Sequence, residues 1–214
     1  MKAFPIIAID GAAASGKTTT TKILADKYGL MRVSTGEHYR AITYQLLSMD
    51  VDPDDEEAVN NALKNIEIGN AIIGNRCAIT ISGAKIDDSS LRSAEINERV
   101  SQFAHIPSVR KFLFNYQRSQ SEVSRKHGFW GLAIEGRDMT SVVFPDADLR
   151  FFLHADVDKR EQRRSCGTEM DPIAMRDSAD AHVTICQDGV IRINTGLHNL
   201  DGVVRIISKY VEDL

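Results

Sequence analysis

The 214 residues carry 26 Lys and Arg against 30 Asp and Glu, a net charge of −4, with a pI near 5.9. That balance excludes a general nucleic-acid binder, which needs a broad basic surface. Cys77, Cys166 and Cys186 have no C-x-x-C spacing, so neither a disulfide framework nor a zinc site is expected. No apolar run approaches the roughly 18 residues of a membrane span, and no leader-like segment opens the chain. The expected setting is the cytoplasm, for a monomer that meets small molecules rather than nucleic acid or membrane.

From the N-terminus, Phe4 to Asp10 is an apolar run short enough to be a buried strand. Gly11-Ala12-Ala13-Ala14-Ser15-Gly16-Lys17-Thr18 follows and fits G-x-x-x-x-G-K-[ST] at every fixed position. A helical stretch from Thr19 to Tyr28, closed by Gly29, comes next. Strand, glycine loop and helix in that order make a phosphate cradle. Backbone N–H groups converge on a di- or triphosphate, and the helix N-terminus adds partial positive charge. Gly11 and Gly16 permit torsions that side chains resist. Lys17 reaches the β- and γ-phosphates, and the Thr18 hydroxyl suits Mg²⁺. The expected donor-phosphate set is therefore Gly11 to Thr19, with Lys17 catalytic and ATP and Mg²⁺ as the implied ligands.

Met31-Arg32-Val33 reads as a second strand, and Ser34 to Glu37 as the turn into a helix with Ser34 or Thr35 as its cap. Alternating β and α segments predict a three-layer α/β fold, a parallel sheet covered by helices. Ligands sit beyond the carboxyl ends of such strands, which places Thr35 to Arg40 near the phosphates. A helix is expected from Glu56 to Asn65. Three short β runs follow, Ile66–Ile68, Ala71–Ile73 and Cys77–Ile81, punctuated at Gly74-Asn75 and Ser82-Gly83. They predict a small antiparallel insert, residues 66–86.

Helices resume with an N-terminal cap near Ser90, and again from Pro107 to about His127. Arg110, Lys111, Arg118, Arg125 and Lys126 along the second read mostly as a solvated face. Trp130 to Ile134 is a core strand ending at Glu135-Gly136-Arg137-Asp138, and Leu149 to Leu153 is another. Asp156 is placed to cap a helix bearing Lys159, Arg160, Arg163 and Arg164. The tail alternates from Val183 to Asn194 around Asp188-Gly189, then closes in an amphipathic helix containing Leu200, Val203, Ile207 and Val211.

A kinase acting on a phosphate must gather anions in line and exclude water, and arginine's planar fork suits that task. Arg40, Arg110, Arg137 and the Arg160, Arg163, Arg164 group stand at strand ends and turn exits. Glu135 is placed to act on Mg²⁺ through water. The six histidines show no ligand spacing and read as surface or packing residues.

Several stretches together resemble the bacterial-type cytidylate kinases of the nucleoside monophosphate kinase family. They are Ile9-Asp10-Gly11 into Ser15-Gly16-Lys17; Ser34-Thr35-Gly36-Glu37-His38-Tyr39-Arg40; Val100-Ser101-Gln102 through Pro107-Ser108-Val109-Arg110 and Gln117-Arg118; and Glu135 to Met139 with Val142 to Ala147. The insert at 66–86 sits where cytidylate kinases carry a small sheet. The resemblance implies transfer of the ATP γ-phosphoryl group to CMP or dCMP. Ser101, Arg110 and Asp138 would address the cytosine edge, and Arg40 and Arg137 the acceptor phosphate. Thr35 and Tyr39 would shape the pocket, and Arg176 and Asp180 would contact the sugar. Arg160 and Arg164 would belong to a lid, residues 157–183, and Arg137 and Arg164 would act catalytically beside Lys17. Residues 35–118 would form the acceptor region within one kinase domain, 1–214.

Two departures stand out. The last arginine of the family's R-D-x-x-D-x-x-R falls on Val183, and the stretch from Arg164 to Arg176 is shorter than the family's lid, with Asp171-Pro172 reading as a compact turn. The residues alone also leave open a P-loop kinase for another small acceptor, such as UMP or a coenzyme precursor, or a nucleotide-binding switch.

Overall fold

The computed structural model describes residues 4–156, 158–160 and 188–214. The chain divides into two compact units, 1–34 with 118–214, and 35–117.

The first unit is built on a parallel sheet. Its strands are β1 (Ile6–Gly11), β2 (Leu30–Ser34), β6 (Gly131–Gly136), β7 (Leu149–His154) and β8 (Ile191–Asn194). Their order is β2-β6-β1-β7-β8, with Ile9 opposite Glu135 and Phe151. Strand β6 is buried along its whole length and β1 from Ile7 onward, as largely apolar runs in a parallel sheet require. Ile7, Ile9, Ala133, Phe151 and Leu153 pack with Leu24 and Ala25 of α1 (Lys17–Tyr28) and Val203, Ile207 and Val211 of α6 (Leu200–Glu212). Helix α1 starts two residues earlier than Thr19 because Gly16, at φ 93°, serves as its N-cap. Gly29, at φ 66°, ends it in the left-handed conformation that glycine adopts without penalty.

The described end of the tail bears out its alternation, with Arg192 exposed and Ile193 buried in β8. Ile191–Asn194 pairs with β7 in parallel, Phe152 opposite Arg192, so the described part of 183–194 joins the main sheet.

The second unit holds α2 (Thr35–Ser48), α3 (Glu56–Leu63), α4 (Ala94–His105), the start of α5 (Pro107–Lys126) and an antiparallel β3-β4-β5 ribbon. Strand β3 (Ile68–Ile73) is one strand where two runs are expected, and it pairs with β4 (Arg76–Ile81). Gly69-Asn70, which separates the two expected runs, stays in the ladder, Gly69 opposite Thr80 and Asn70 opposite Ile79. A Cβ at Gly69 would lie 2.8 Å from Thr80 Oγ1. Tyr116 donates its hydroxyl to Gly69 O and Asn70 Oδ1 at 3.0 and 2.9 Å. Ser82 and Gly83, at φ 48° and 78°, form the two-residue turn into β5 (Ala84–Lys85).

Two further expectations shift. Ser90 opens a single 3₁₀ turn, Ser90–Arg92, and the cap of α4 is Ser93, whose hydroxyl accepts from Ile96 N. The cationic run of α5 is not simply solvated. Arg118 donates to Val143 O and lies 5.2 Å from the Phe144 ring centroid, and Arg125 lies 3.8 Å over Phe4. Guanidinium planes stack on rings where an ammonium would stay in water.

Among the described residues, no helix is long and apolar enough to cross a membrane.

Candidate functional site

Strand β1 delivers its last residue, Gly11, into a space only glycine fills. Its φ is 154°, and a Cβ there would stand 2.2 Å from the Leu153 carbonyl oxygen of β7. The loop then turns through Ala14, at φ 58°, a left-handed conformation that alanine adopts only at some cost. Ser15 is buried, and its carbonyl accepts from Thr195 Oγ1 just beyond β8. The turn of the loop, the start of α1 and the ends of β1, β7 and β8 are thereby locked together.

Lys17 lies back along this loop. Its Nζ donates to Gly11 O at 2.7 Å and Ala12 O at 2.9 Å. Burial is the main influence on the ammonium and pushes it down to about 8; Glu135 and Asp10 oppose that shift, and Arg137 and Arg160 assist it. The structure therefore gathers Lys17, Glu135, Arg137 and Arg160 into one electrostatic neighbourhood. Arg160 is buried against the loop, Nε donating to Ala155 O and Nη1 to Ala13 O.

Thr18 Oγ1 donates to Glu135 Oε1 at 2.9 Å, and Ser34 Oγ donates to the same oxygen. Two hydroxyls on one buried carboxylate form an all-oxygen set beside the first turn of a helix. Such hard donors match Mg²⁺, which keeps several waters and takes few protein ligands. No cluster of three or more His, Cys, Asp or Glu able to hold a metal occurs among the described residues.

Asp10 went without a role in the sequence. It is 2% exposed, and its carboxylate accepts from Met139 N and Thr140 N, each at 2.8 Å, and from Thr140 Oγ1 at 2.6 Å. Burial raises its pKa, and the Thr140 and Met139 hydrogen bonds work the other way. The three donors lie in a wide turn, Met139–Val143, in which Phe144 N reaches Met139 O. One carboxylate thus fixes the exit of β6, where Arg137 is half-buried and Asp138 is 8% exposed. The available signal was an aspartate closing an otherwise apolar strand.

In the second unit, Thr35 is buried at the start of α2, with Tyr39 and Arg40 half-buried one turn on. Arg40 Nη1 donates to Leu91 O at 2.9 Å. Ser101 lies late in α4 and Arg110 in the first turn of α5, both half-buried, with Arg110 N bonded to Ile106 O. His38 is 1% exposed, its ring 4.9 Å from Tyr116 and neither nitrogen hydrogen-bonded among the described residues. Burial holds its pKa down to about 3, so it packs as a neutral ring. Arg163, Arg164, Arg176, Asp180, His182, Val183 and the greater part of the expected lid lie outside the described residues.

A parallel sheet, a glycine loop between β1 and α1, and a lysine lying on that loop define the P-loop kinase class. Solved structures of similar fold agree. A sugar kinase from Janibacter sp. has a TM-score of 0.55 at 11% identity, covering 98% of this chain and 95% of that one. Thymidylate kinase from Candida albicans has 0.50 at 12%, covering 98% and 92%.

The family model described as cytidylate kinase matches residues 7–212. A cytidylate kinase of Streptococcus mutans is 34% identical over 226 residues, which is 97% of this chain and 96% of that protein. A bifunctional pantoate ligase/cytidylate kinase of Prochlorococcus marinus is 39% identical over 173 residues. The alignment takes in 77% of this chain and 31% of that longer protein, so the chain spans about a third of its length. The chain belongs to the cytidylate kinase family, a family of phosphotransferases.

Proposed function

We propose that the chain transfers the γ-phosphoryl group of ATP to CMP or dCMP. The observation that carries this reading is the joining of the phosphate loop to the β6 exit through Asp10, which precedes Gly11 and also holds the turn after Arg137-Asp138. The family membership supports the choice of a pyrimidine monophosphate.

In this reading the backbone of Gly11 to Thr19 receives the donor phosphates, and Lys17 turns from the loop carbonyls to the β- and γ-oxygens. Arg160 and Arg164 add charge on the donor side. Thr18 would hold Mg²⁺, which would supply neutralisation of the charge developing on the phosphates. Glu135, which accepts from Thr18 and Ser34, would act on that metal through water. Arg40 and Arg137 hold the acceptor phosphate, with Arg137 also stabilising charge during transfer. Thr35 and Tyr39 shape the pocket. Ser101, Arg110 and Asp138 read the cytosine edge, whose acceptor, ring nitrogen and exocyclic donor call for paired polar groups. Arg176 and Asp180 contact the sugar, and residues 157–183 act as a short lid. The protein works as a cytoplasmic monomer.

The test is a coupled ADP-release assay with CMP, dCMP, UMP, AMP and no acceptor, with and without Mg²⁺. CMP or dCMP should exceed UMP by at least about tenfold in kcat/KM, since a site built to bond the exocyclic amine of cytosine rejects its absence, and should exceed AMP because a pocket shaped to a single pyrimidine ring does not admit a purine. Equal turnover of all four would remove the acceptor assignment. Release that ignores the acceptor would favour a nucleotide switch.

A further inference from the structure

Arg76, the first residue of β4, grips two carboxylates at once. Nη2 and Nε donate to Glu37 Oε2 at 2.9 and 3.3 Å. Nη1 and Nη2 donate to Asp88 Oδ2 and Oδ1 at 2.8 and 3.0 Å. Lys85 Nζ adds a second cation 3.1 Å from Asp88 Oδ1. The Arg76 and Glu37 side chains keep only 17% and 14% of their surface exposed. A bidentate fork in such a half-buried setting fixes geometry more firmly than a surface ion pair does.

The two carboxylates stand at informative places. Glu37 lies one turn before Arg40 on α2, so the two share a helix face. Asp88 lies three residues before Leu91, in the segment that enters the Ser90–Arg92 turn. Leu91 supplies the carbonyl that accepts Arg40 Nη1. Arg76 and Arg40 therefore bridge the same two elements, α2 and the 87–92 segment, all within the second unit. Arg40 reaches the segment at the neutral Leu91 carbonyl; Arg76 joins the two elements through four charge-assisted hydrogen bonds.

We propose that Arg76 is the positioning residue for Arg40. By pinning Glu37 to Asp88, it holds the Leu91 carbonyl where that carbonyl orients the Arg40 guanidinium toward the acceptor phosphate. The β3-β4-β5 ribbon is then a strut for substrate capture. The inference rests on the acceptor-phosphate role proposed for Arg40.

The experiment compares the wild type with Arg76→Met, Arg76→Lys, Arg40→Ala and the Arg76→Met/Arg40→Ala pair. Steady-state kinetics are read over CMP and ATP, and calorimetry over CMP and cytidine. Arg76→Met should raise KM for CMP about tenfold while kcat and KM for ATP stay within about twofold, the pattern of lost ground-state binding. Cytidine, which lacks the phosphate, should bind both proteins equally. In the Arg40→Ala background, Arg76→Met should add less than about twofold, because both act through one contact. Arg76→Lys should recover part of the affinity. Losses that multiply in the double variant, or that fall equally on cytidine, overturn the proposal.

If Arg76→Met does not fold, Asp88→Asn replaces it, since Asp88 is 47% exposed. It should raise KM for CMP about threefold by the same route, and an unchanged KM there overturns the proposal. Wild-type turnover of CMP separates the two readings. Its absence removes the acceptor reading and this inference with it; its presence beside an unaffected Arg76→Met removes the positioning role alone.

Discussion

Lys17 carries the most sharply drawn residue-scale consequence. Burial holds its ammonium down to about 8, below the ordinary lysine value, so above that pH the side chain is neutral until an anion joins it. KM for ATP should therefore rise as pH climbs from about 8 to 10, and ATP binding in that range should take up a proton, visible by calorimetry in buffers of different ionisation heat. Lys17→Ala should remove the pH dependence and cost about 10²–10³ in kcat or more, because charge neutralisation supplies most of the catalysis. A flat KM in the wild type would place the lysine outside the donor site. Asp10 offers a second test at this scale. Its carboxylate satisfies three donors with no N–H of its own, and Asp10→Asn turns one oxygen into a donor facing donors. A loss of about 1–3 kcal/mol in urea unfolding is expected, the range for a buried unsatisfied group. Turnover should fall with it, since Arg137 and Asp138 stand on the turn that Asp10 holds.

At the scale of elements, α2 combines a proposed ligand face with a buried titratable ring. His38 sits in the second unit with a pKa near 3, against an ordinary value of 6.5. Its folded pKa is depressed, so the unfolded chain binds the extra proton between those values. Stability is therefore intact above about pH 6.5 and falls by up to about 1.4 kcal/mol per pH unit as pH drops toward 3. Urea unfolding at pH 7, 6 and 5 should show this slope, and His38→Phe should flatten it. An equal acid slope in His38→Phe would assign the loss to carboxylates instead. Elements of this kind separate what the sequence made legible from what it hid. β1, β6 and β7 are readable because each is a short, largely apolar run between turns, and α1 because Gly16 and Gly29 bracket it. Gly69-Asn70 was misread because the features that keep it in the strand, Tyr116 and Thr80, are distant in sequence. The ring contacts of Arg118 and Arg125, which otherwise lie on the solvated face as expected, are hidden for a similar reason: their partners, Phe144 and Phe4, cannot be found from helix periodicity. Pattern reports local geometry, and a polar side chain's partner is usually non-local.

Among the described residues there are two hydrophobic cores, one in each compact unit. One gathers Ile7, Leu24, Phe151 and Ile207; the other gathers Ile42, Val59, Phe103 and Leu113. The residues proposed for ATP lie in the first unit, and Thr35, Tyr39, Arg40, Ser101 and Arg110, proposed for CMP, lie in the second. Donor groups such as the phosphate loop were legible because they form one contiguous motif. Acceptor groups are scattered over α2, α4, α5 and the β6 exit; position at strand ends and turn exits marks Arg40, Arg110 and Arg137 as phosphate-side candidates, and only the family resemblance suggests Ser101 and the individual roles. This division predicts different footprints for the two ligands in hydrogen exchange. At about 100 times its Kd, a ligand that binds only the folded state adds roughly 2.7 kcal/mol of stability. With ATP and Mg²⁺, slowed exchange should concentrate in Gly11 to Thr20 and at the end of β8 beside Thr195. With CMP, it should appear in the first turns of α2, in residues 87–92, in α4 and α5 near Ser101 and Arg110, and around Arg137-Asp138. Arg76→Met should lose the CMP-induced slowing at 87–92 while retaining the ATP footprint. Protection by CMP confined to the first unit would contradict the acceptor roles of Arg40, Ser101 and Arg110, and leave the donor site untouched.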